Sequence, residues 1–303
     1  MTGGAGSFGH AFTRMLLQGS VGAVRVLSRD EEKHRLMAEA FPDKRLDFLL
    51  GDVRDGARLR RAFEGVDVVV HAAALKQIPA TEADPVEAVK TNVLGAVNVI
   101  EAALDSGVKR VMALSSDKAC APVLLYGATK LCAERLVCAA SQLAGPRDIR
   151  FACVRYGNVV ASRGSVIPKF IEQAKTGRVT LTHPLMTRFW MTLDEAARFV
   201  YDRIEDMEDG KVYVPRLPSV RVRDLITAIA PEAQVDITGI RFGEKLHESM
   251  VSFDESYRTL HLGDHFAIGR ETVNPEAWSY SSDRNTFLSV DEICERLVGL
   301  GPL

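Results

Sequence analysis

From residue 23 to residue 155, short apolar runs alternate with longer stretches of helical spacing, and few folds accommodate that alternation. Residues 23–28, 46–51, 66–74, 110–114 and 149–155 read as strands, and 110–114 has the continuous apolar character of a strand buried on both faces. Residues 85–106 and 126–143 read as helices. Strands alternating with helices build a parallel sheet covered on both sides, so the spacing predicts an α/β fold with a doubly wound parallel sheet of the Rossmann type. Chemistry in such sheets sits beyond the carboxyl ends of the strands, where helices begin.

Ahead of the first of these strands, Thr2-Gly-Gly-Ala-Gly-Ser-Phe-Gly9 places glycines at 3, 6 and 9 at the start of a helix expected near residues 7–18. Small residues let backbone N–H groups approach a pyrophosphate, and the helix N-terminus favours its charge. Gly3, Gly6, Ser7, Phe8 and Gly9 are therefore candidate cofactor contacts. Such a turn carries meaning only between a strand and a helix. Here the sequence opens at Met1, where about five apolar residues of a first, central strand are expected. The expectation is a truncated or misassigned start, with the first strand missing.

About 20 residues on, Ser28-Arg29-Asp30 ends the strand 23–28. An acid at this place suits the ribose 2′-hydroxyl of NAD, and an arginine suits a 2′-phosphate. Both types are present, and Arg29 with Lys33 one turn later favours NADP, although Lys33 also suits a solvated helix start. Asp52 and Val53 are placed for the adenine ring. Ala72 and Ala73 allow close backbone approach, Lys76 follows them, and Asn92 on the helix 85–106 joins the expected cofactor contacts, as do Tyr126 and Lys130.

The densest chemistry lies at 114–130. There Ser115, Ser116, Asp117 and Lys118 follow an apolar strand, and Tyr126 and Lys130 stand one turn apart on the next helix. An ammonium one turn away favours a phenolate, which makes Tyr126 a usable base nearer neutral pH. Beyond residue 160 the alternation weakens. Residues 162–168 read as a loop feeding a helix through 175, 179–182 and 235–240 as strands, and 220–230 as a helix. Thr192, Asp194 and Glu195 open a further helix. Gly243-Glu-Lys-Leu-His-Glu248 is a compact polar cluster. Residues 1–160 are expected to form the NADP-binding unit and 161–303 mainly a substrate-binding lobe interleaved with it.

A net charge of −2 gives no reason to expect nucleic acid or anionic membrane as partner. No apolar run approaches the length of a membrane span. Five cysteines without Cys-x-x-Cys spacing point to reduced thiols and a cytoplasmic location, with neither a disulfide framework nor a zinc site. His261 and His265 have helical spacing but no acid pattern beside them, which favours a loop or surface role.

Taken together, Thr2–Gly9, the His71–Pro79 stretch, Lys90-Thr-Asn-Val-Leu-Gly95, the 114–130 stretch, Val154-Arg-Tyr-Gly-Asn-Val-Val160, residues 162–168, Met186-Thr-Arg-Phe-Trp190 and Gly243–Glu248 resemble the extended short-chain dehydrogenase/reductase family. Within it the chain looks like the soluble, C5-inverting UDP-N-acetylglucosamine 4,6-dehydratases of surface-glycan synthesis. Membrane-bound retaining relatives tend to carry methionine at the position of Tyr126. Ser116 stands where the family usually has threonine, which keeps the hydroxyl.

The resemblance implies that Tyr126, aided by Lys130, takes the C4 hydroxyl proton. It further implies that Lys118 removes the C5 proton, that Asp117 protonates the departing C6 hydroxyl, and that Ser115 or Ser116 bonds the sugar. Lys76, Asn158, Arg163, Arg188 and Glu244 would then bind the UDP-sugar, arginine being suited to bidentate phosphate contacts. Lys245 and His247 would shape the nucleotide end, and homo-oligomers are the family habit. A C5-retaining dehydratase, a nucleotide-sugar 4-epimerase and a non-catalytic NADP-binding module are the alternatives.

Overall fold

In the computed structural model, which describes residues 1–160 and 166–299, the chain opens on the glycine turn and α1 (Ser7–Gln18). It then alternates β1 (Val24–Ser28), α2 (Glu31–Ala40), β2 (Leu46–Leu50), α3 (Gly56–Phe63) and β3 (Val68–His71). Helices α4 (Ile78–Ala83) and α5 (Pro85–Val89) lead through a π-helical turn, Lys90–Leu94, into α6 (Gly95–Asp105) and β4 (Arg110–Leu114). A 3₁₀ turn at Asp117–Ala119 precedes α7 (Leu125–Ala139), α8 (Ser141–Ala144) and β5 (Arg150–Val154). Then come α9 (Val166–Ala174), β6 (Arg178–Leu181), β7 (Thr187–Phe189), α10 (Leu193–Glu205), β8 (Val212–Pro215), β9 (Ser219–Arg221), α11 (Val222–Ile229) and β10 (Gln234–Ile237). The chain ends with β11 (Ser249–Val251), α12 (Phe253–Ser256), β12 (Thr259–His261), β13 (His265–Ile268), β14 (Tyr280–Ser281) and α13 (Val290–Val298).

β3, β4, β5 and β8 lie side by side and parallel, and β13 and β12 continue that sheet antiparallel. β1 and β2 form a parallel pair beyond β3. Thr2 joins the two parts, bridging Leu27 on one side and His71 on the other. Its N–H donates to Val70 O (3.0 Å), its carbonyl accepts from Ala72 N–H (3.1 Å), and Gly3 N–H donates to Leu27 O (2.8 Å). Residues 1 and 2 thus occupy the place between β1 and β3 where a longer strand was expected. The architecture is the α/β doubly wound sheet that the alternation predicts.

Adjacent residues of the central strands face opposite sides, as strand geometry requires. Val69, Val111 and Phe151 pack with Leu59 and Phe63 of α3, Val99 and Ile100 of α6 and Val137 of α7. Val70, Met112 and Ala152 pack instead with Phe12 of α1 and with Phe199 and Val200 of α10. Burial on both faces explains the uninterrupted apolar runs, each large side chain contributing about 1.5–3 kcal/mol. A third cluster joins Ile167 and Phe170 of α9, Val179 and Leu181 of β6, Leu225 and Ile226 of α11 and Ile293 of α13. Among the described residues no helix is long and apolar enough to cross a membrane.

Two local readings change. The helix expected over 85–106 is interrupted by the π turn, in which Gly95 N–H reaches Lys90 O. That widening accompanies the inward anchoring of Asn92, whose amide accepts from Leu75 N–H (2.8 Å) and donates to Leu75 O and Thr129 Oγ1 (3.0 Å each). Within 186–190, Thr187–Phe189 pairs as a strand with Ser219–Arg221, so the expected helix at 220–230 begins at Val222. α10 keeps its expected start, with Thr192 and Glu195 closing a reciprocal capping box.

Candidate active site

A cleft of about 1980 Å³ runs along the carboxyl ends of the strands. It has room for more than one ligand of ordinary size, since such pockets span roughly 300–1,000 Å³. At one end stands the glycine turn. A Cβ on Gly9 would lie 1.8 Å from Gly4 O, so only glycine lets α1 start where it does. At Gly6 a Cβ would meet nothing closer than Gly3 O at 3.3 Å, leaving the turn open toward the cleft. Gly6 caps α1 without a side chain and the first turn holds no acid, a disposition suited to a pyrophosphate. Gly3, Ser7, Phe8, Ala72, Ala73 and Val53 line the same end.

At the tip of β1 the two charge types part. Asp30 accepts from Lys33 N–H (3.0 Å) as the cap of α2 and also pairs with Lys33 Nζ (2.5 Å). Ser28 Oγ meets His34 Nε2 at 2.7 Å. Arg29 is half exposed on the cleft, its nearest carboxylate Asp52 at 3.5 Å, and Asp52 itself is held more closely by Arg54 at 2.6 Å. Lys76 lines the cleft with burial drawing its ammonium pKa down and with no carboxylate partner among the described residues. Asn92 does not line the cleft. Its amide is consumed by Leu75 and Thr129, so it fixes the 72–77 segment against α7.

Deeper in the cleft, α7 presents Tyr126 opposite the turn that follows β4. A Cβ on Gly127 would stand 2.2 Å from Lys118 O, so the glycine after Tyr126 lets helix and turn touch. Ser116 Oγ donates to Asp117 Oδ1 (2.8 Å), and Lys118 Nζ donates to the same oxygen (3.1 Å). Asp117 is 1% exposed, and its Oδ2 has no hydrogen-bond partner. The buried Ser115 Oγ is likewise unpartnered and lines the cleft.

Lys118 also meets Glu248 Oε1 at 3.5 Å. Burial pulls the Lys118 pKa down, but Asp117 and Glu248 outweigh it and hold the ammonium protonated well above its ordinary range. Burial and then Asp117 push the Glu248 carboxyl up. Glu248 comes from the 243–248 polar cluster, 130 residues away from Lys118 in the chain. It was not among the expected site residues, and its place at the end of that cluster was the only signal for it.

Lys130 also reaches back to the sheet. Its Nζ donates to Leu114 O at 2.5 Å, tying α7 to β4. Burial raises the Tyr126 pKa, and the groups pulling it back are the Lys118 ammonium and the Ser116 hydroxyl. Lys118 is thus a cation that favours the phenolate, and the Lys130 ammonium, which has three N–H donors, keeps two of them beyond its bond to Leu114 O. On the far wall, Arg188 donates to Thr187 O (2.6 Å), Leu246 O (3.1 Å) and Lys245 O (3.0 Å). Glu244 approaches its guanidinium at 4.0 Å, and Asn158 lines the same wall. Lys245 donates to Cys120 O (2.7 Å), and His247 Nδ1 bonds Thr187 Oγ1 (2.8 Å). Arg163 lies outside the described residues.

A buried ion cluster fixes this geometry from behind. Arg155, just past β5, pairs through two hydrogen bonds with Glu134 of α7 (2.9 and 2.6 Å) and two with Glu255 of α12 (2.8 Å each), and donates to Met250 O (2.9 Å). Bidentate carboxylate pairs of this kind fix orientation as well as distance. The helix carrying Tyr126 is thereby locked to the sheet and to the segment that follows Glu248.

Fold and cleft together define the class: a dinucleotide-binding α/β enzyme of the short-chain dehydrogenase/reductase kind. The chain belongs to the polysaccharide biosynthesis protein family, whose model matches residues 1–270. It is 46% identical to an inverting UDP-N-acetylglucosamine 4,6-dehydratase of Campylobacter jejuni, over 94% of this chain and 92% of that protein. It is 41% identical to a UDP-glucose 4-epimerase of Rickettsia conorii, over 99% of this chain and 95% of the relative. Among solved structures it superposes on Pen from Bacillus thuringiensis with a TM-score of 0.93 at 35% identity, covering 99% of this chain and 96% of that one. It superposes on DesIV, a dTDP-glucose 4,6-dehydratase from Streptomyces venezuelae solved with NAD bound, with a TM-score of 0.72 at 25% identity, covering 81% and 85%.

Proposed function

We propose that the chain is a C5-inverting UDP-N-acetylglucosamine 4,6-dehydratase that makes a 4-keto-6-deoxy sugar nucleotide. The observation that carries this reading is the Asp117–Lys118 pair facing Tyr126 in the cleft. Moving a hydride at C4 and back needs one base, whereas removing water across C5 and C6 needs a second base and an acid. The close identity to the Campylobacter enzyme supports the same reaction.

Tyr126 takes the proton of the C4 hydroxyl, its phenolate favoured by the Lys118 ammonium and the Ser116 hydroxyl. When bound, the dinucleotide supplies reversible two-electron oxidation at C4 and returns the electrons at C6. The resting ion pair differs from the reactive pair by one internal proton move. The Lys118 proton crosses the 3.1 Å to Asp117, leaving a neutral amine and a carboxylic acid. Lys118 then accepts the C5 proton, Asp117 protonates the departing C6 hydroxyl, and water leaves. The ion pair is thereby restored with no net proton gained or lost. The unpartnered Ser115 hydroxyl is suited to the sugar, and Lys76 with Arg188 to the diphosphate.

NADP is the cofactor we favour over NAD. Asp30 is committed to capping α2 and to Lys33, while Arg29 stands at the cleft with its nearest carboxylate at 3.5 Å, a disposition suited to a 2′-phosphate. A 4-epimerase is the second reading, supported by the Rickettsia relative. Incubation with UDP-N-acetylglucosamine in deuterated water separates the two when read by NMR and mass spectrometry, first with catalytic NADP and then with NAD. The dehydratase gives a 4-keto-6-deoxy product with deuterium at C5 and inverted configuration, and works at lower NADP than NAD. A 4-epimer with protium retained at C5 would establish the epimerase.

A further inference from the structure

We propose that Glu248 is a positioning residue that acts through Lys118, and that its carboxyl must be protonated for Lys118 to serve as base. This rests on the dehydratase reading and deepens it. Glu248 is 3% exposed, Oε1 stands 3.5 Å from Lys118 Nζ, and Oε2 is buried without a hydrogen-bond partner. Its backbone is held on both sides, with Glu248 N–H donating to Ser282 Oγ (3.0 Å) and Ser282 N–H to Glu248 O (2.8 Å). Ser282 Oγ is bonded in turn to Thr187 Oγ1 (2.7 Å). The carboxyl therefore stands on a backbone fixed beside β11 and β14, close to the lysine.

The groups facing Glu248 are Asp117 and Lys118 from the 3₁₀ turn, Arg188 from β7 and Lys245 from its own segment, with Lys245 Nζ at 3.9 Å. Lys245 and Arg188 are already engaged by the carbonyls of Cys120, Thr187, Leu246 and Lys245. One ammonium, Lys118, thus lies between two buried carboxyl groups. When both are ionised they trap its proton, because passing it to Asp117 would leave Glu248 charged beside a neutral amine. When Glu248 holds a proton of its own, Lys118 faces one carboxylate. The N–H bond at Lys118 can then break as an O–H bond forms at Asp117 Oδ1. Burial and Asp117 already shift Glu248 toward that protonated form. Its protonated fraction falls as pH rises through the raised pKa, so turnover falls on the alkaline side.

The test is the pH profile of kcat for product formation by the wild type, Glu248→Gln and Glu248→Asp, read by the position of the alkaline limb whatever the height of the plateau. Glutamine is permanently neutral, so the wild-type limb should vanish or move up by at least about one pH unit, a tenfold change in proton concentration. The shorter aspartate should keep a limb but displace it. A limb at the wild-type position in both variants overturns the proposal. Should Glu248→Gln fail to fold, wild-type protein labelled with ¹³C at glutamate carboxyls decides by NMR. One carboxyl should titrate above the ordinary range, and its signal should be missing in Glu248→Asp. A spectrum in which every glutamate titrates normally overturns the proposal. Wild type that gives no product on UDP-N-acetylglucosamine instead counts against the dehydratase reading, and the titration still decides the state of Glu248.

Discussion

Lys118 and Lys130 are the same residue type in one site, and their surroundings give them opposite tendencies. Burial draws the Lys130 pKa down, with only weak opposition from Cys153 and Glu134, and its ammonium is bonded to a carbonyl. Lys118 is also buried but lies between two carboxyl groups that raise it. Removing Lys118 should therefore affect chemistry more than assembly. In Lys118→Ala, product formation should fall by about 10²–10⁴, the usual contribution of a positioned acid–base group. Dinucleotide affinity, read by fluorescence titration, should hold, because none of the glycine-turn contacts involve Lys118. Unchanged turnover would remove Lys118 from the mechanism.

At this scale the sequence is informative where chemistry is local. Ser116, Asp117, Lys118 and Tyr126 are near neighbours in the chain, and strand-end placement alone brings them together. Glu248 was hidden because its meaning depends on a contact across 130 residues. The contact of Lys130 with Leu114 O was hidden for another reason: i,i+4 spacing gives a shared face but not which partner the ammonium takes.

Among elements, the glycine turn and α1 form the most constrained unit. Gly9→Ala would place a methyl 1.8 Å from Gly4 O, so the turn must open and its N–H groups lose their convergence. We expect dinucleotide affinity to fall at least about tenfold, about 1.4 kcal/mol, with far-ultraviolet circular dichroism unchanged. Affinity equal to wild type would mean that the turn does not hold the pyrophosphate. α10 was readable because period, cap and first-turn charge agree in it, and α1 because the glycine turn marks its start. β8, β12 and β13 were not, since each has only three or four residues, too few to establish a period. The π turn at Lys90–Leu94 accompanies the tertiary anchoring of Asn92, a contact that local spacing does not reveal.

For the whole molecule, the ion cluster behind the site couples stability to pH. Burial alone would raise the Glu255 pKa, but Arg155 overrides it and brings the carboxyl from 4.5 to about 2. Burial likewise brings His71 from 6.5 to about 3. Both pKa values are depressed by folding, so both groups contribute stability that is present above their unfolded values and lost as pH falls. The expected window opens near pH 6.5 with His71 and extends below pH 4.5 with Glu255, whose shift alone amounts to about 3 kcal/mol. Urea midpoints measured from pH 7 to pH 3 should drop throughout. In Glu255→Gln the decline below pH 4.5 should flatten against a lower starting midpoint, because the buried Arg155 keeps only Glu134 of its two carboxylate partners. A midpoint independent of pH over that range would contradict the role of these groups.

The bridge at Thr2 gives the sheet a seam. Backbone hydrogen bonds around residues 1–3 fasten β1 and β2 to the six-stranded sheet. β2 at the outer edge of this pair is only partly buried, whereas β4 and β5 are buried almost throughout, so amides of Val24–Ser28 and Leu46–Leu50 should exchange with deuterium by a sub-global route, ahead of β4 and β5. The proposed cofactor would lie across the same line, its adenosine end against β1 and its pyrophosphate on α1. Adding it should slow exchange in β1 and β2 far more than in β4, so that the dinucleotide acts as a clasp that makes one cooperative unit of two.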